Sequence, residues 1–417
     1  MSASPYADYR TVASVNWPEK VPAHWDIKKL SHMALLKSGE SITSEEIDAL
    51  GPYPVYGGNG TRGYCDRYTH DGEFVLIGRQ GALCGNINYA KGKFWASEHA
   101  VVVRPLQWFA TRWMGELLRA MNLNQYSVSA AQPGLSVATV GALRIPVPPV
   151  DEQRAIADFL ERETTRIDAL LHLKQRLRAL LTEKKKRQVD DLLLPNGQTP
   201  LTRLKYVVES VGGLQIGPFG SMLIELSGEE TGYKLYGQQN TISGDFEAGR
   251  RWITDSQYAA LRANYGLAKG DVVVTRKASL GHCREVPPEV CPGIIDSDTI
   301  RFRFDKAKVH VPYVVRLLRA ATYVAEQIGR SARGAILSNL NTSTIGGLLV
   351  WIPDVRTQRR IEAECAEIEQ QVAEADRMLA NSVTRYEEYR SCLISAAVTG
   401  QIDVRTYHPQ EAAVSCQ

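Results

Sequence analysis

The chain has 417 residues, which is too long for one ordinary hydrophobic core and suits about two to four domains. Hydrophobic content of 44% and charged content of 23% are typical of a globular protein, not of a disordered or membrane chain. The formal net charge of +3 excludes a strongly basic coat, so any contact with DNA must come from local patches. On charge alone, a protein with no polyanion partner is equally compatible.

The cysteines and the chain start predict a cytoplasmic protein. The seven cysteines form no CxxC pair and no Cys/His zinc spacing, which indicates reduced thiols inside a cell. The first residues show no basic-then-apolar signal pattern. No run of about 18 apolar residues is present that would span a membrane.

Residues 1–150 are predicted to form the first globular domain. Apolar and β-branched runs predict short strands over residues 25–30, 73–78 and 99–104, and composition predicts a helix over 108–121. Glycine-rich turns such as 57–60 separate these elements. The domain is therefore expected to be mixed, with a body rich in strands and loops.

Residues 151–195 are predicted to form a long helix. No Gly or Pro occurs from 151 to 194, and one heptad register collects the apolar residues Ile156, Leu160, Ile167, Leu170, Leu177 and Leu181. Polar residues interrupt the register at Glu163, Lys174 and Lys184.

Residues 196–354 are predicted to form a second domain that repeats the first. Residues 233–237 match 53–57, and 271–276 match 73–79. Residues 297–303 are aligned with 97–103, and a helix is predicted over 313–328. The framework recurs while the loops between its elements differ.

A gapless repeat closes each domain. Residues 135–156 align with residues 340–361, and nine of the 22 positions are identical. Duplication of this kind indicates two similar units related by a pseudo-twofold internal repeat. The repeat therefore governs the prediction for the whole architecture.

Residues 355–399 are predicted to form a second long helix, followed by a tail at 400–417. A period of 3.5 residues places eleven residues on one seam, which are Ile361, Cys365, Ile368, Val372, Ala375, Leu379, Ser382, Tyr386, Tyr389, Leu393 and Ala396. Each helix of some 40 residues would span roughly 60 Å. The first helix is basic in its second half and the second is acidic in its first half, which favours antiparallel pairing. The alternative is that each helix docks on its own domain.

Motifs for catalysis and cofactors do not occur. No GxxxxGK[ST] phosphate loop and no strand-GxGxxG-helix fingerprint is present, and the eight histidines form no metal-binding spacing. His99, beside Ser97 and Glu98, invites a hydrolase interpretation, but neighbouring polar residues at a strand start are ordinarily structural. We expect no catalytic residue, no metal and no cofactor on this chain.

Residue types that read DNA bases recur in both domains. Arg and Lys read guanine, while Asn and Gln read adenine. The predicted DNA-binding residues of the first domain are Asn59, Arg62, Arg79, Gln80 and Gln132. Those of the second domain are Gln238, Gln239, Asn240, Arg276, Lys277, Arg333 and Asn339. Tyr56, Tyr64 and Tyr236 interleave with them. The basic run 184–187 fits phosphate contact and a solvated helix face equally well.

The whole arrangement resembles the specificity (S) subunit of type I restriction–modification systems. The resemblance rests on Pro-Pro-x-x-Glu-Gln at 148–153, on Leu-Ile-Ser-Ala-Ala-Val-Thr-Gly-x-Ile-Asp-Val at 393–404, and on Val-Pro-Ala-His-Trp at 21–25. The second copy departs from it: 354–358 read Asp-Val-Arg-Thr-Gln, and the opening at Thr202 lacks the Pro-x-x-Trp element.

The resemblance implies an α+β fold of two similar mixed α/β target recognition domains, separated by two long antiparallel helices that form a coiled coil. It implies a non-catalytic subunit that reads one half of a bipartite, asymmetric DNA site with each domain. The implied partners are double-stranded DNA, two modification (methyltransferase) subunits and restriction (ATP-dependent translocase/endonuclease) subunits, which hold the cofactors. The alternative is a two-headed coiled-coil scaffold that binds proteins and not DNA.

Overall fold

The computed structural model of the chain forms two compact units. The first contains residues 1–175 and 380–417, and the second contains residues 176–379, so each includes part of both long helices. The structure describes residues 5–12, 18–81, 83–127, 134–195, 197, 200–219, 222, 226–227, 232–276, 282–332 and 340–407.

The first unit is built on a six-stranded sheet. The strands of this unit are β1 (Tyr9–Thr11), β2 (Lys20–Pro22), β3 (Asp26–Lys29), β4 (Ala34–Ser38), β5 (Tyr53–Gly57), β6 (Gly60–Cys65), β7 (His70–Gly78), β8 (Ile87–Ala96), β9 (Ala100–Pro105) and β10 (Arg144–Val147). The large sheet has the order β4-β9-β7-β8-β5-β6, while β1 pairs with β2 and β3 with β10. Neighbouring strands of the large sheet run antiparallel except β5 and β8, which are parallel.

Both faces of the central strands are covered, which explains their uninterrupted apolar runs. Val75 and Ile77 of β7 face the main core of the unit, whereas Leu76 faces a second cluster with Phe94. The helices are α1 (Leu30–Met33), α2 (Thr111–Ala120) and α3 (Val137–Ala142). α2 buries Trp113 completely in the main core.

The second unit divides its strands between two sheets of four strands each and a short pair. The strands are β11 (Thr202–Arg203), β12 (Leu214–Ile216), β13 (Leu226–Ser227), β14 (Tyr233–Tyr236), β15 (Trp252–Ile253), β16 (Val272–Thr275), β17 (Cys283–Glu285), β18 (Gly293–Ile295), β19 (Thr299–Phe302) and β20 (Leu349–Val350). The sheet orders are β12-β19-β16-β17 and β13-β15-β14-β18, and β11 pairs with β20. β14 and β18 are parallel, as β5 and β8 are in the first unit.

The helices of the second unit correct one prediction. They are α5 (Gln238–Ser243), α6 (Asp255–Tyr265), α7 (Val311–Ala320), α8 (Thr322–Ala332) and α9 (Thr342–Gly346). The single helix predicted over 313–328 is therefore two helices. Ala321 adopts an extended backbone (φ −72°, ψ 117°) between them, and the Thr322 amide donates to Asp190 Oδ1 at 2.7 Å.

Matching backbone hydrogen bonds show how the two units correspond. The amide of Ser97 donates to Tyr56 O at 2.9 Å, and the amide of Asp296 donates to Tyr236 O at 2.8 Å. Ser97 therefore corresponds to Asp296 and not to Ser297, so the predicted alignment of 297–303 on 97–103 was wrong by one residue.

Two matched glycines complete the same framework. Gly39 donates to Ala100 O at 3.0 Å, and Gly217 donates to Thr299 O at 3.2 Å. A Cβ at Gly39 or at Gly217 would lie 2.1 Å from a backbone oxygen of the opposing segment. Only glycine allows the two backbones to approach so closely.

The two long helices are α4 (Val150–Leu193) and α10 (Val355–Val398), each of 44 residues. In the first unit they pair antiparallel: Arg390 Nε lies 2.9 Å from Asp168 Oδ1, and Lys174 Nζ lies 5.3 Å from the Tyr386 ring. Ile156 and Leu393 share the buried core of this unit, so the helices also pack on its globular body.

The antiparallel prediction holds in the second unit as well. Arg178 binds both carboxylate oxygens of Asp376, at 2.7 and 3.0 Å. Further along, Leu193 and Ile361 enter the same apolar core. The helix halves therefore pack on each other and on the globular body, so the expectation of pairing and its alternative each describe part of the arrangement.

Two details of the helix predictions were wrong. Leu177 is 46% exposed, while Arg178 is part-buried beside α10. The heptad register therefore shifts by one residue at this point, because a long cationic side chain can lie along the seam with its charge paired. Glu362 and Glu369 bind Arg316 of α7 at 2.7 Å each, not the basic half of α4.

Candidate nucleic-acid interface

Three loops of the first unit meet at one end of its large sheet. They follow β5, follow β7 and join β8 to β9, and we call residues 57–60, 79–80 and 97–99 the first edge. The Arg79 amide donates to His99 O at 2.9 Å, which holds two of these loops together. The hydrogen bond from the Ser97 amide to Tyr56 O joins the third loop to them. Backbone hydrogen bonds thus fix the loops before any side chain is considered.

The first edge brings together three of the predicted DNA-binding residues. Asn59 is exposed, and its Oδ1 accepts from Asn86 Nδ2 at 2.7 Å. Gln80 is exposed, and Arg79 is part-buried with Nη1 3.2 Å from Ser38 Oγ. Arg62 is exposed on the adjoining strand β6. Amide and guanidinium groups at this edge are suited to hydrogen bonding with base edges or phosphates.

Glu98 and His99 also lie on the first edge, although the sequence did not predict them as binding residues. His99 Nε2 lies 3.1 Å from Glu98 Oε1, and both side chains are more than a third exposed. Glu98 Oε2 is buried and has no hydrogen-bond partner within the described part of the chain. The sequence could have indicated them, because the three consecutive polar residues 97–99 separate two apolar strands.

The same construction recurs in the second unit. The loops follow β14, follow β16 and join β18 to β19, and we call residues 237–240, 276 and 296–298 the second edge. The Arg276 amide donates to Asp298 O at 2.9 Å, as Arg79 donates to His99. The Leu340 amide donates to Arg276 O at 3.0 Å, as Leu135 donates to Arg79 O at 2.9 Å.

The predicted residues of the second edge differ in their surroundings. Gln239 is exposed and Gln238 is half-buried. Asn240 is buried: its Nδ2 donates to Asp245 O at 2.9 Å and to Ala248 O at 2.8 Å. An amide used in this way shapes its own loop, and we leave Asn240 out of the residues proposed to touch DNA.

Arg276 is held in the same manner. Its Nε donates to Leu340 O at 2.8 Å and its Nη1 to Ser297 O at 3.0 Å. The guanidinium therefore ties the second edge to the start of the repeated segment. Gln132, Lys277, Arg333 and Asn339 lie outside the described residues.

The ion pair of Arg251 and Asp296 at the second edge was not predicted from the sequence. Arg251 Nη1 lies 2.6 Å from Asp296 Oδ2, with the arginine side chain 49% exposed and the aspartate 8% exposed. The sequence showed only an Arg250-Arg251 pair after a glycine, and it could not show which aspartate would lie beneath.

The tyrosines predicted beside these residues have unequal positions. Tyr236 is 1% exposed and donates from its hydroxyl to Cys291 O at 2.8 Å. Burial raises the pKa of Tyr236 well above its ordinary value. It is a core residue and not an interface residue. Tyr56 is half-buried with its ring 5.5 Å from that of Phe94, and Tyr64 is half-buried on β6.

Neither a metal cluster nor a membrane span is found among the residues that the structure describes. No group of three or more His, Cys, Asp or Glu side chains there is placed to hold a metal ion. No helix within the described ranges is long and apolar enough to cross a membrane.

The comparison with known families agrees with the sequence motifs. Residues 22–179 match the family model described as "Type I restriction modification DNA specificity domain". This stretch of the chain is therefore similar to the type I restriction modification DNA specificity domain. The matched residues cover most of the first unit, including the whole first edge, and more than half of α4.

Two curated relatives are named as type I restriction enzyme specificity subunits. The chain is 44% identical over 142 residues to the Type I restriction enzyme EcoprrI specificity subunit of Escherichia coli. It is 30% identical over 141 residues to the putative type I restriction enzyme specificity subunit S.HindORF215P of Haemophilus influenzae. Each match covers 33% of this chain, and the chain spans 35% and 37% of these two relatives.

Two solved structures share the fold of nearly the whole chain. One, from work on complex assembly and conformational transition of the type I R-M system, superposes with a TM-score of 0.67 over 92% of this chain and 100% of its own. The HsdS subunit from Thermoanaerobacter tengcongensis superposes with a TM-score of 0.58 over 93% and 99%. Sequence identity is 17% in both, so the likeness concerns the mixed α/β fold alone.

Proposed function

We propose that this chain is the DNA sequence-recognition subunit of a type I restriction–modification complex. One observation carries the proposal: the first and second edges have the same backbone framework but different side chains. Arg79 and Arg276 occupy matching positions, but Gly58 and Asn59 of the first edge correspond to Gln238 and Gln239 of the second, and Ser97 corresponds to Asp296. Two frameworks with different reading groups are what a bipartite, asymmetric DNA site requires.

The proposed contacts divide between base reading and positioning. The exposed amides of Asn59, Gln80 and Gln239 are suited to adenine, and Arg79 is suited to guanine or to a phosphate. Arg62 joins them from β6. Gln238, Gln132, Lys277, Arg333 and Asn339 remain predicted contacts.

The long helices are proposed to set the spacer between the two half-sites. A 44-residue helix extends about 66 Å at 1.5 Å per residue, compared with about 34–36 Å per duplex turn. We also propose that they dock two modification subunits. With a net charge of +3 the chain alone releases few counterions, so we expect its affinity for DNA without partners to be low.

Catalysis is proposed to belong to the partners. On this proposal the modification subunits transfer methyl groups and the restriction subunits translocate and cut, while this chain holds no cofactor of its own. The proposed location is the cytoplasm, where chromosomal DNA is accessible.

Methylation mapping of the host genome tests the proposal against the protein-binding scaffold. Deleting the gene should abolish methylation at one split motif with two different short halves, and returning the intact gene should restore it. A methylome that is identical with and without the gene would leave the scaffold as the better explanation. A strain that lacks only the restriction subunit serves as the control, because its methylation should persist.

A further inference from the structure

Arg251 and Asp296 form an oriented pair at the surface of the second edge. Asp296 is buried, and each of its carboxylate oxygens is engaged. Oδ1 accepts from the Asp298 amide at 3.0 Å and from Thr299 Oγ1 at 3.1 Å, while Oδ2 binds Arg251 Nη1 at 2.6 Å. The aspartate is therefore fixed by the loop, and it fixes the arginine in turn.

Arg251 is close to the predicted reading residues. A Cβ at Gly237 would lie 3.1 Å from Arg251 Nη1, and Gln238 follows directly. The Arg251 carbonyl accepts from the Leu235 amide at 2.9 Å, so its backbone is anchored to β14. The side chain is 49% exposed, which leaves guanidinium N–H groups facing solvent.

The pair is suited to base reading and not to phosphate binding. A guanidinium presents five donors in a rigid fork that fits O6 and N7 of guanine, and an aspartate that binds one end fixes the direction of the other. A phosphate contact gains from net positive charge, whereas Arg251 and Asp296 together are neutral. A buried acid beneath the arginine therefore favours recognition of a base edge.

We infer that Arg251, positioned by Asp296, reads a guanine in the half-site of the second unit. The inference rests on the proposed function and adds a base and a residue to it. The first unit has Ser97 at the position of Asp296, so it holds no such carboxylate there. An arginine oriented by an aspartate at this position therefore belongs to the second half-site only.

The test uses the purified complex of the full chain with its modification subunits, after the motif has been mapped. Duplexes carrying 7-deazaguanine at each guanine of that half in turn remove N7 alone. At one position, binding by the wild-type complex should weaken roughly tenfold or more. The Arg251→Gln complex should not distinguish that duplex from the normal one, and its salt dependence should keep its slope.

Two variants separate reading from other roles. Arg262→Gln removes an exposed arginine from α6 of the same unit and should leave the discrimination intact. Asp296→Asn keeps the side-chain shape and weakens the ion pair, so it should reduce discrimination at the same guanine. Thermal melting of each complex identifies a variant that has merely unfolded.

Several outcomes would overturn the inference. A half-site without a G·C pair, or equal discrimination by wild-type and Arg251→Gln complexes at every guanine, removes the contact. Uniform weakening on all sequences, with the salt slope reduced by about one, would make Arg251 a phosphate contact. A wild-type complex that binds a duplex with a scrambled motif as tightly as the mapped motif would contradict the proposed function itself. A wild-type complex that distinguishes those two duplexes but tolerates every 7-deazaguanine would contradict this inference alone.

Discussion

The two copies of the repeated segment share a glutamine that does the same work in both units. Gln153 Oε1 accepts from the Ala110 amide at 3.2 Å, at the start of α2. Gln358 Oε1 accepts from the His310 amide at 2.7 Å, at the start of α7. Each glutamine therefore links a long helix to the first turn of a helix in the globular body, whose amides lack intrahelical partners.

The residue before each glutamine differs, and so does its environment. Glu152 is buried and binds Tyr6 Oη at 3.0 Å, Trp25 Nε1 at 2.9 Å, His24 Nε2 at 2.8 Å and Arg405 Nη1 at 3.2 Å. Burial together with this carboxylate raises the pKa of Tyr6 far above its ordinary value.

In the second copy this position is Thr357, which donates to Asp354 Oδ2 at 2.6 Å at the start of α10. The shared glutamines therefore build the framework of both units, whereas Glu152 gathers the N-terminal and C-terminal segments in the first unit only. The second copy lacks the Pro-x-x-Trp element and has Thr in place of Glu. These two changes belong together, because the indole N–H of Trp25 donates to Glu152 in the first unit.

The largest effect is expected from Glu152→Ala. The change leaves the indole of Trp25 and the hydroxyl of Tyr6 without their acceptor and Arg405 without one of its two carboxylate partners. We expect the free energy of unfolding to fall by about 3 kcal/mol, measured by denaturant titration. The matched control Thr357→Ala should cost about 0.5 kcal/mol, since a half-buried hydroxyl with a single partner near a helix start contributes little. Equal losses would break the distinction between the copies.

The shared glutamines should both be costly to replace, and Gln358 more so. Gln358→Leu leaves the His310 amide and the carbonyls of Lys308 and Pro353 without a partner in a fully buried site. We expect a loss of about 2–3 kcal/mol in unfolding free energy. Gln153→Leu leaves fewer groups unpaired and should cost about 1–2 kcal/mol. If neither substitution changed the free energy of unfolding, the glutamines would not hold the framework together.

The matched glycines test the framework at a second point. Gly39→Ala and Gly217→Ala force a methyl group against a backbone oxygen, and each should destabilise its unit by about 2 kcal/mol. Gly329→Ala is the control, since no atom lies within 4 Å of a Cβ at that position in α8. It should stabilise the chain by about 0.5–1 kcal/mol. Thermal melting of the three variants checks the order.

Acid should weaken the ion pair of Asp403 and Arg405 in the C-terminal segment of the first unit. Hydrogen bonding from Arg405 lowers the pKa of Asp403 below its ordinary value of 3.8. A carboxyl whose folded pKa is depressed stabilises the fold above its unfolded pKa and loses that contribution as pH falls through the folded value. Unfolding titrations below pH 4 should therefore show a shallower pH dependence in Asp403→Asn. An unchanged slope would contradict this.

The smallest effect is expected between the helices. Arg178 and Asp376 are each about 40% exposed, so the pair should contribute only about 0.2–1 kcal/mol. A double-mutant cycle with Arg178→Ala and Asp376→Ala measures this coupling. Asp168 and Arg390 form the corresponding pair in the first unit and should give a similar value. A coupling of zero in both would mean that apolar contacts alone align the helices.

The sequence predicted periodic and repeated features well. Heptad spacing located both long helices. All eleven seam residues of α10 are at least partly buried, as the spacing predicted. It failed at Leu177, where a paired arginine displaces a leucine from the seam. Spacing alone could not show this, since it depends on Asp376, almost 200 residues away.

The candidate edges were predicted only in part. Residue type selected Arg79 and Gln80, which do lie together, but it also selected Asn240, whose amide is used within its own loop. It did not select Arg251, whose ion-pair partner Asp296 lies on another strand connection. Which polar side chain faces solvent is decided by tertiary contacts, and no local pattern records them.

Each unit is proposed to read one half of a split DNA motif. The most direct measurement exchanges residues 1–150 for those of a family member with a different motif and maps the methylated sites of the host genome. One half of the motif should change while the other half is retained. Change in both halves, or in neither, would contradict this proposal.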